Sequence, residues 1–316
     1  MRISVVTPLY RSAPYLEELY QRTVAAIEAT GAGEHEIIFV NDCGPDNSLE
    51  VAKEIAARDP SVIVVDLSRN FGQHRAILIG LEHSSGDLTF VMDSDLEEEP
   101  EWITLFYEAM TTRGVDVVYG VLDTKKGGSV YRMARRIFYT VLNSLSDFGF
   151  PENVVTARLM SRRYIDALQQ FGEREVYLAG IWHVAGFAQL PVRVKKLDTS
   201  TTTYTLTRAA GLFINAVTAF STRPLISIAV AGICLSAVAF AYTLWITLRR
   251  MFWGVAVEGW TSTMAATLII GGLTLFFNGI MAIYIAKIFI EVKQRPRVIV
   301  REVHRAPSKK AQRRPQ

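Results

Sequence analysis

Residues 88–97 read Leu88-Thr89-Phe90-Val91-Met92-Asp93-Ser94-Asp95-Leu96-Glu97, a short apolar run that ends in two aspartates one residue apart. A buried strand over Leu88–Met92, ending at Asp93, is the expectation. The same grammar repeats on the N-terminal side. Ile3–Pro8 and Val62–Leu67 are further apolar runs, and Glu36–Val40 ends in Asn41-Asp42 followed by a turn-rich segment through Ser48. Between the strands lie segments of helical spacing: Tyr15–Thr30 with Leu16, Leu19, Val24 and Ile27 on one side, Leu49–Arg58 with Ser48 as its cap, and Arg75–His83. Strand–helix alternation implies parallel pairing with helices on both faces, and continuously apolar strands fit a sheet covered on both sides. The expected fold is an open, doubly wound, mostly parallel α/β sheet. Ligands of such sheets bind beyond the carboxyl ends of the strands, where Asp42 and Asp93 fall.

C-terminal to the aspartates, Trp102–Met110 reads as a helix and Val115–Val121 as another strand. Residues 123–136 are polar, basic and Gly-containing, and lead into a helical pattern over Arg132–Leu145. Gln189–Val194 resembles an edge strand.

Strand-end carboxylates are hard oxygen donors, suited to a divalent cation that also takes phosphate oxygens and water. Asp93 and Asp95 are therefore candidate metal ligands, with Mg2+ or Mn2+ the expected cofactor. Glu97 stays open between a third ligand and a helix-turn acid. Glu98, and with it Glu99, is read as part of a solvated first helical turn, where acids suit the dipole. Asp42 can accept from a nucleobase N–H, although composition alone favours a plain turn former.

The chain has 316 residues, half of them apolar, and a formal net charge of +3. That balance gives no global electrostatic footprint for nucleic acid. The two cysteines form neither a zinc pattern nor a redox pair. The apolar excess lies after Pro224. Leu225–Leu248 carries no charge and would span ~36 Å as a helix, enough for the ~30 Å hydrocarbon core. Thr263–Ile290 is a second such segment, with Lys287 near its end. The alternative, a helical hairpin buried in a soluble protein, fits poorly with charge-free runs of this length. Nine Lys or Arg residues follow Ile290, so the positive-inside rule places the tail in the cytoplasm. Two spans return the chain to its starting side, and Met1–Val6 reads as a strand rather than as a secretory signal. Expected organisation is a cytoplasmic α/β domain over residues 1–207, an interfacial amphipathic segment or core helix over 208–224, a transmembrane hairpin over 225–290 and a basic cytoplasmic tail over 291–316. The spans also offer a surface for homo-oligomer contacts.

Several segments together carry a resemblance. Thr7-Pro8-Leu9-Tyr10, Val40-Asn41-Asp42, Leu67-Ser68-Arg69-Asn70-Phe71-Gly72-Gln73-His74 and Met92-Asp93-Ser94-Asp95-Leu96 occur in the order and spacing of the family-2 inverting glycosyltransferases of GT-A fold. The chain resembles the branch with dolichyl-phosphate mannose synthase, the bactoprenol glucosyltransferases and the undecaprenyl-phosphate aminoarabinose transferases. Phe220-Ser221-Thr222-Arg223-Pro224-Leu225, Gly259-Trp260-Thr261-Ser262 and Glu291-Val292-Lys293-Gln294-Arg295-Pro296 look like that branch's membrane-entry, inter-helix and post-membrane segments. The resemblance covers roughly residues 1 to 300.

What it implies is a nucleotide-sugar donor, a polyprenyl-phosphate acceptor in the inner membrane, and inversion at the transferred sugar. By this resemblance Pro8 and Tyr10 line the base and ribose pocket, Asp42 binds the base, and Asp93 and Asp95 hold the metal-bound diphosphate. Glu97 stands where the family usually has Gln. Arg132, Arg135 and Arg136 fall in the acceptor segment, where guanidinium forks suit a lipid phosphate; contact with anionic membrane is the alternative. The family's Asn-Glu after the first Tyr is Arg11-Ser12 here, and the Arg expected after the fifth strand is missing. Lys196 stands near the family's pre-membrane arginine and would contact the donor. A processive polysaccharide synthase of the same fold would carry a Gln-X-X-Arg-Trp segment, which this sequence lacks. A non-catalytic nucleotide-sugar-binding partner would not need the Asp93/Asp95 pair.

Overall fold

In the computed structural model, residues 1–122, Thr140, Ser144, 153–197, 221–253 and 259–306 are described. The chain divides into two compact units. One combines residues 1–139, 150–204 and 295–316; the other combines 140–149 and 205–294.

The first unit is built on an eight-stranded sheet. Its strands are β1 (Arg2–Leu9), β2 (Glu34–Asn41), β3 (Val62–Leu67), β4 (Leu88–Val91), β5 (Val117–Leu122), β6 (Val154–Ser161), β7 (Gln189–Val194) and β8 (Val300–Arg305), in the order β7-β5-β6-β4-β1-β2-β3-β8. Strand β1 pairs in parallel with β2 and β4, β2 with β3, and β5 with β7. Strands β6 and β8 run antiparallel to their neighbours. The mostly parallel α/β architecture is as expected from the sequence, and β7 is the edge strand that the pattern over 189–194 implies.

Helices cover both faces. On one side α1 (Leu16–Ala29), α2 (Ser48–Arg58) and α4 (Trp102–Arg113) pack Leu16, Leu19, Ile27, Ile55, Ile103 and Phe106 against Ile3, Val5, Phe39, Val64 and Phe90. On the other lies α3 (Gln73–His83), which crosses β1 so closely that a Cβ on Gly80 would come within 2.2 Å of Val6 Cγ1. Helices α5 (Arg162–Leu168) and α6 (Leu178–Val184) follow β6.

Three features depart from the sequence reading. Ser48 is not an N-cap: Asn47 precedes α2 and makes no side-chain cap, while Ser48 Oγ donates to Asp46 Oδ2 at 2.7 Å. Strand β6 went unread because Arg158 interrupts its apolar run. That arginine is 2% exposed, on the strand beside β4 and over the Trp182 ring. Residues 300–305, read as basic tail, form β8 along β3.

The second unit contains two helices long and apolar enough to cross a membrane, α7 (Arg223–Trp253) and α8 (Trp260–Val292). They enclose both apolar segments singled out in the sequence. Ile233, Phe240, Leu268 and Leu275 are exposed along them, as the surface of a helix solvated by lipid would be. Tyr284 Oη donates to Ser221 O at 2.9 Å, fastening α8 to the chain two residues before α7.

Candidate active site

Parallel pairing brings the carboxyl ends of β1, β2 and β4 side by side, and the conspicuous carboxylates gather there. Asp93 lies two residues past β4. Its Oδ1 accepts from Gln73 Nε2 at the start of α3, and its Oδ2 from Thr156 Oγ1 on β6 at 3.1 Å. Burial and the charge of Glu98 push its pKa up to about 7, against the pull of Lys196. Asp95 Oδ1 accepts from the Glu97 amide at 3.0 Å, which folds the acidic turn on itself, and Leu96 between them has φ +59.

The structure corrects the reading of Glu98. It is not a solvated turn acid but is fully buried. Its Oε2 accepts from the Asp93 amide at 3.2 Å and its Oε1 from the Thr156 amide at 2.9 Å. Burial pushes its pKa up, while Lys196 and both amides favour the charged form. Lys196 Nζ lies 3.4 Å from Glu98 Oε1, 3.6 Å from Glu97 Oε2 and 4.0 Å from Asp93 Oδ2. Burial alone would lower the lysine's pKa, but Glu98, Asp93, Asp95 and Glu97 together hold it above its ordinary value. Lys196, Asp93 and Glu97 are thus neighbours.

Asp42 is 3% exposed. Its two oxygens accept from the amides of Phe71 at 2.7 Å and Gly72 at 2.9 Å. A carboxylate has about four acceptor sites, so further donors can still be met. Burial raises its pKa, opposed by those amides and by Arg75. Pro8 is buried in β1, whereas Tyr10 just beyond is half exposed, with the Arg11 guanidinium 5.7 Å from its ring centroid. Behind them Ser12 Oγ hydrogen-bonds Ser94 Oγ at 2.6 Å and the Ser12 amide donates to Ser48 Oγ at 2.9 Å. These bonds tie the β1, β2 and β4 loops to one another. Arg132, Arg135 and Arg136 lie outside the described residues.

Sequence reasoning missed Thr156, Gln73, Glu98 and Arg158. Gln73 sat inside a quoted segment without a role. Thr156 and Arg158 had no local signal, since only the antiparallel docking of β6 on β4 brings them here. Burial pulls the Arg158 pKa down, and the Tyr164, Glu98 and Tyr119 charges oppose it.

Among the described residues no three acidic, His or Cys side chains form a ready metal cage. The donor set nevertheless fits Mg2+ or Mn2+, which take one or two carboxylates and complete their shell with phosphate and water. The ammonium of Lys196 among three carboxylates marks this turn as a place where positive charge is stabilised.

Comparison with known proteins adds sequence kinship to this geometry. The profile described as Glycosyl transferase family 2 matches residues 4–169. A Mycobacterium tuberculosis protein named as a glycosyltransferase is 40% identical over 304 residues, 96% of this chain and 89% of that protein. The bactoprenol glucosyl transferase of Shigella phage SfII is 31% identical over 308 residues, 96% of this chain and 99% of the relative. Among solved structures, glucosyl-3-phosphoglycerate synthase from Mycobacterium tuberculosis, in complex with Mn2+, uridine-diphosphate and phosphoglyceric acid, is similar over 69% of this chain and 76% of that one, at 18% identity and a TM-score of 0.47.

Proposed function

This chain belongs to glycosyl transferase family 2, and from that premise we propose that it moves a sugar from a nucleotide-sugar donor to a polyprenyl phosphate, undecaprenyl phosphate in bacteria, at the cytoplasmic face of the inner membrane. One observation carries the reading. A single chain joins a carboxylate cluster beyond β4 to two helices long and apolar enough to span a bilayer. Two such helices would hold the site at the bilayer surface, where the headgroup of a lipid acceptor lies. The relative named as a bactoprenol glucosyl transferase, aligned over 99% of its length, supports the same acceptor class.

The reaction is a displacement at the anomeric carbon. An oxygen of the lipid phosphate forms the new C–O bond while the bond to the nucleoside diphosphate breaks, with inversion. The attacking oxygen is already anionic at neutral pH, so no strong base is required. Catalysis then rests on positioning and on stabilising the leaving group. A bound Mg2+ or Mn2+ would supply charge neutralisation for the leaving diphosphate, held by Asp93 and Asp95 with Glu97 beside them. Lys196 stands close enough to this turn to meet a diphosphate oxygen. Thr156 and Gln73 orient the Asp93 carboxylate. Asp42 is assigned to the base, with Pro8 and Tyr10 along the base and ribose. Arg132, Arg135 and Arg136 are assigned to the acceptor phosphate.

The test is incubation of the detergent-extracted protein with undecaprenyl phosphate, Mn2+ and, in turn, UDP-glucose, UDP-galactose, UDP-N-acetylglucosamine and GDP-mannose. One of these should yield a chloroform-soluble, mild-acid-labile glycolipid bearing a single sugar. Growth of a polymer instead would favour a processive synthase. Donor binding with no product from any of these would favour a non-catalytic partner.

A further inference from the structure

Strand β8 does more than close a sheet edge. Its pairing with β3 slips between Asp66 and Leu67: Asp66 faces Glu302 and Leu67 faces Val300, so Arg301 has no partner in the ladder. An extra residue of this kind bends the strand and re-aims its side chain. Here the guanidinium turns onto two neighbours at once. Arg301 Nη1 lies 3.2 Å from Asp66 Oδ2, and Nη2 donates to Ser68 O at 3.0 Å. Asp66 is buried and its other oxygen accepts from Asn41 Nδ2 at 2.8 Å. Asn41 immediately precedes Asp42.

The loop from Ser68 to Gly72 is therefore held at both ends. Ser68 is fixed by Arg301 and by its own amide, which donates to Ile299 O at 2.9 Å. Phe71 and Gly72 are fixed by the Asp42 carboxylate. Gly72 has φ +92, a backbone state open to glycine and strained for other residues, so the turn into α3 calls for a glycine here. The loop runs straight into α3, whose first residue, Gln73, binds Asp93.

We propose that Arg301, supplied by the segment that follows the second apolar helix, is a positioning residue for donor binding: through Asp66–Asn41 and Ser68 it holds Asp42 and the 68–72 loop in the geometry that receives the nucleotide. The inference rests on the donor-site reading of Asp42. Its consequence is that the post-membrane segment is part of the donor site's support.

The test uses the full chain in neutral detergent and reads equilibrium binding of UDP and of GDP with Mn2+ by calorimetry. Arg301→Ala should weaken the nucleotide that wild type binds by about three- to tenfold, a charge-assisted contact discounted for the guanidinium's exposure. Binding stoichiometry should stay at the wild-type value. The KM for the sugar nucleotide should rise by the same factor, with kcat at saturating donor little changed. Arg301→Lys should fall between, since an ammonium can pair with Asp66 but cannot also bridge Ser68. Glu302→Ala, the exposed neighbour on β8, should bind as wild type does. An unchanged Kd in Arg301→Ala would overturn the proposal, and so would reduced stoichiometry at unchanged Kd, or an equal shift in Glu302→Ala. Because nucleotide affinity is read without lipid, a wrong acceptor assignment leaves this comparison intact. Failure of wild type to bind either nucleotide overturns both readings.

Discussion

The ammonium of Lys196 lies 3.4 Å from the Glu98 carboxylate, and that carboxylate also receives the amides of Asp93 and Thr156. One buried acid thus fixes the turn after β4, the facing strand β6 and the lysine that follows β7. Glu98→Ala would leave two amides without their acceptor and Lys196 without its nearest carboxylate. Breaking a buried pair from one side costs about 3–5 kcal/mol. The expected result is a large loss of thermal stability, read by melting in detergent. Lys196→Met removes the opposite partner and should lower stability too, because Glu98 and Asp93 then stay buried side by side without the ammonium between them. Wild-type melting of Glu98→Ala would show that the turn does not depend on this contact.

Asp95 is different in kind. Its Oδ1 accepts from the nearby Glu97 amide, inside the same turn. Asp95→Ala should therefore melt close to wild type while transfer falls by roughly a hundred- to a thousandfold, the scale on which preorganised charge stabilisation acts. Excess EDTA should abolish wild-type transfer, and excess Mn2+ or Mg2+ should restore it. Sugar transfer that persists in EDTA would remove the metal assignment.

Glu36 sets an acid limit on stability. Burial pushes its pKa up, but the Ser4 hydroxyl, the Ser85 amide and hydroxyl, and Arg2 outweigh burial and hold it below the ordinary 4.5. The native state then binds fewer protons than the unfolded chain in that window. Its contribution is fully present above about pH 4.5 and is lost as pH falls through the lowered native value. Glu36→Gln should be less stable than wild type at pH 7, and the gap should narrow in acid. Urea melts from pH 7 to pH 3 measure it; a constant gap would contradict the linkage.

Arg135→Ala/Arg136→Ala addresses the acceptor. A charged hydrogen bond to phosphate contributes on the order of 1.5–3 kcal/mol, so transfer at low acceptor should slow by roughly ten- to a hundredfold. Nucleotide affinity should hardly move. The assay uses short-chain polyprenyl phosphate in neutral detergent, where bilayer charge is absent. Unchanged rates there would leave membrane contact as the role of these arginines.

The local code of this protein was legible residue by residue. Apolar runs ending in Asp42 and Asp93 set the parallel strands, since a strand buried on both faces must be apolar throughout. Two charge-free segments marked the helices α7 and α8, since length and polarity alone determine fitness for a bilayer. What depended on tertiary structure was every pairing between distant segments. The sequence around Glu98 is indistinguishable from a solvated acidic turn. Only the approach of β6 and of the residues after β7 buries it and supplies Thr156 and Lys196 as partners. Arg158 made β6 look unlike a strand because the arginine's compensation, the Trp182 ring, comes from a helix two dozen positions away. Arg301 looked like one basic residue among many until the slipped ladder between β3 and β8 turned it onto Asp66. A carboxylate or a guanidinium takes its meaning from the charge and the dielectric around it, and in a sheet those are set by strands far apart in the chain.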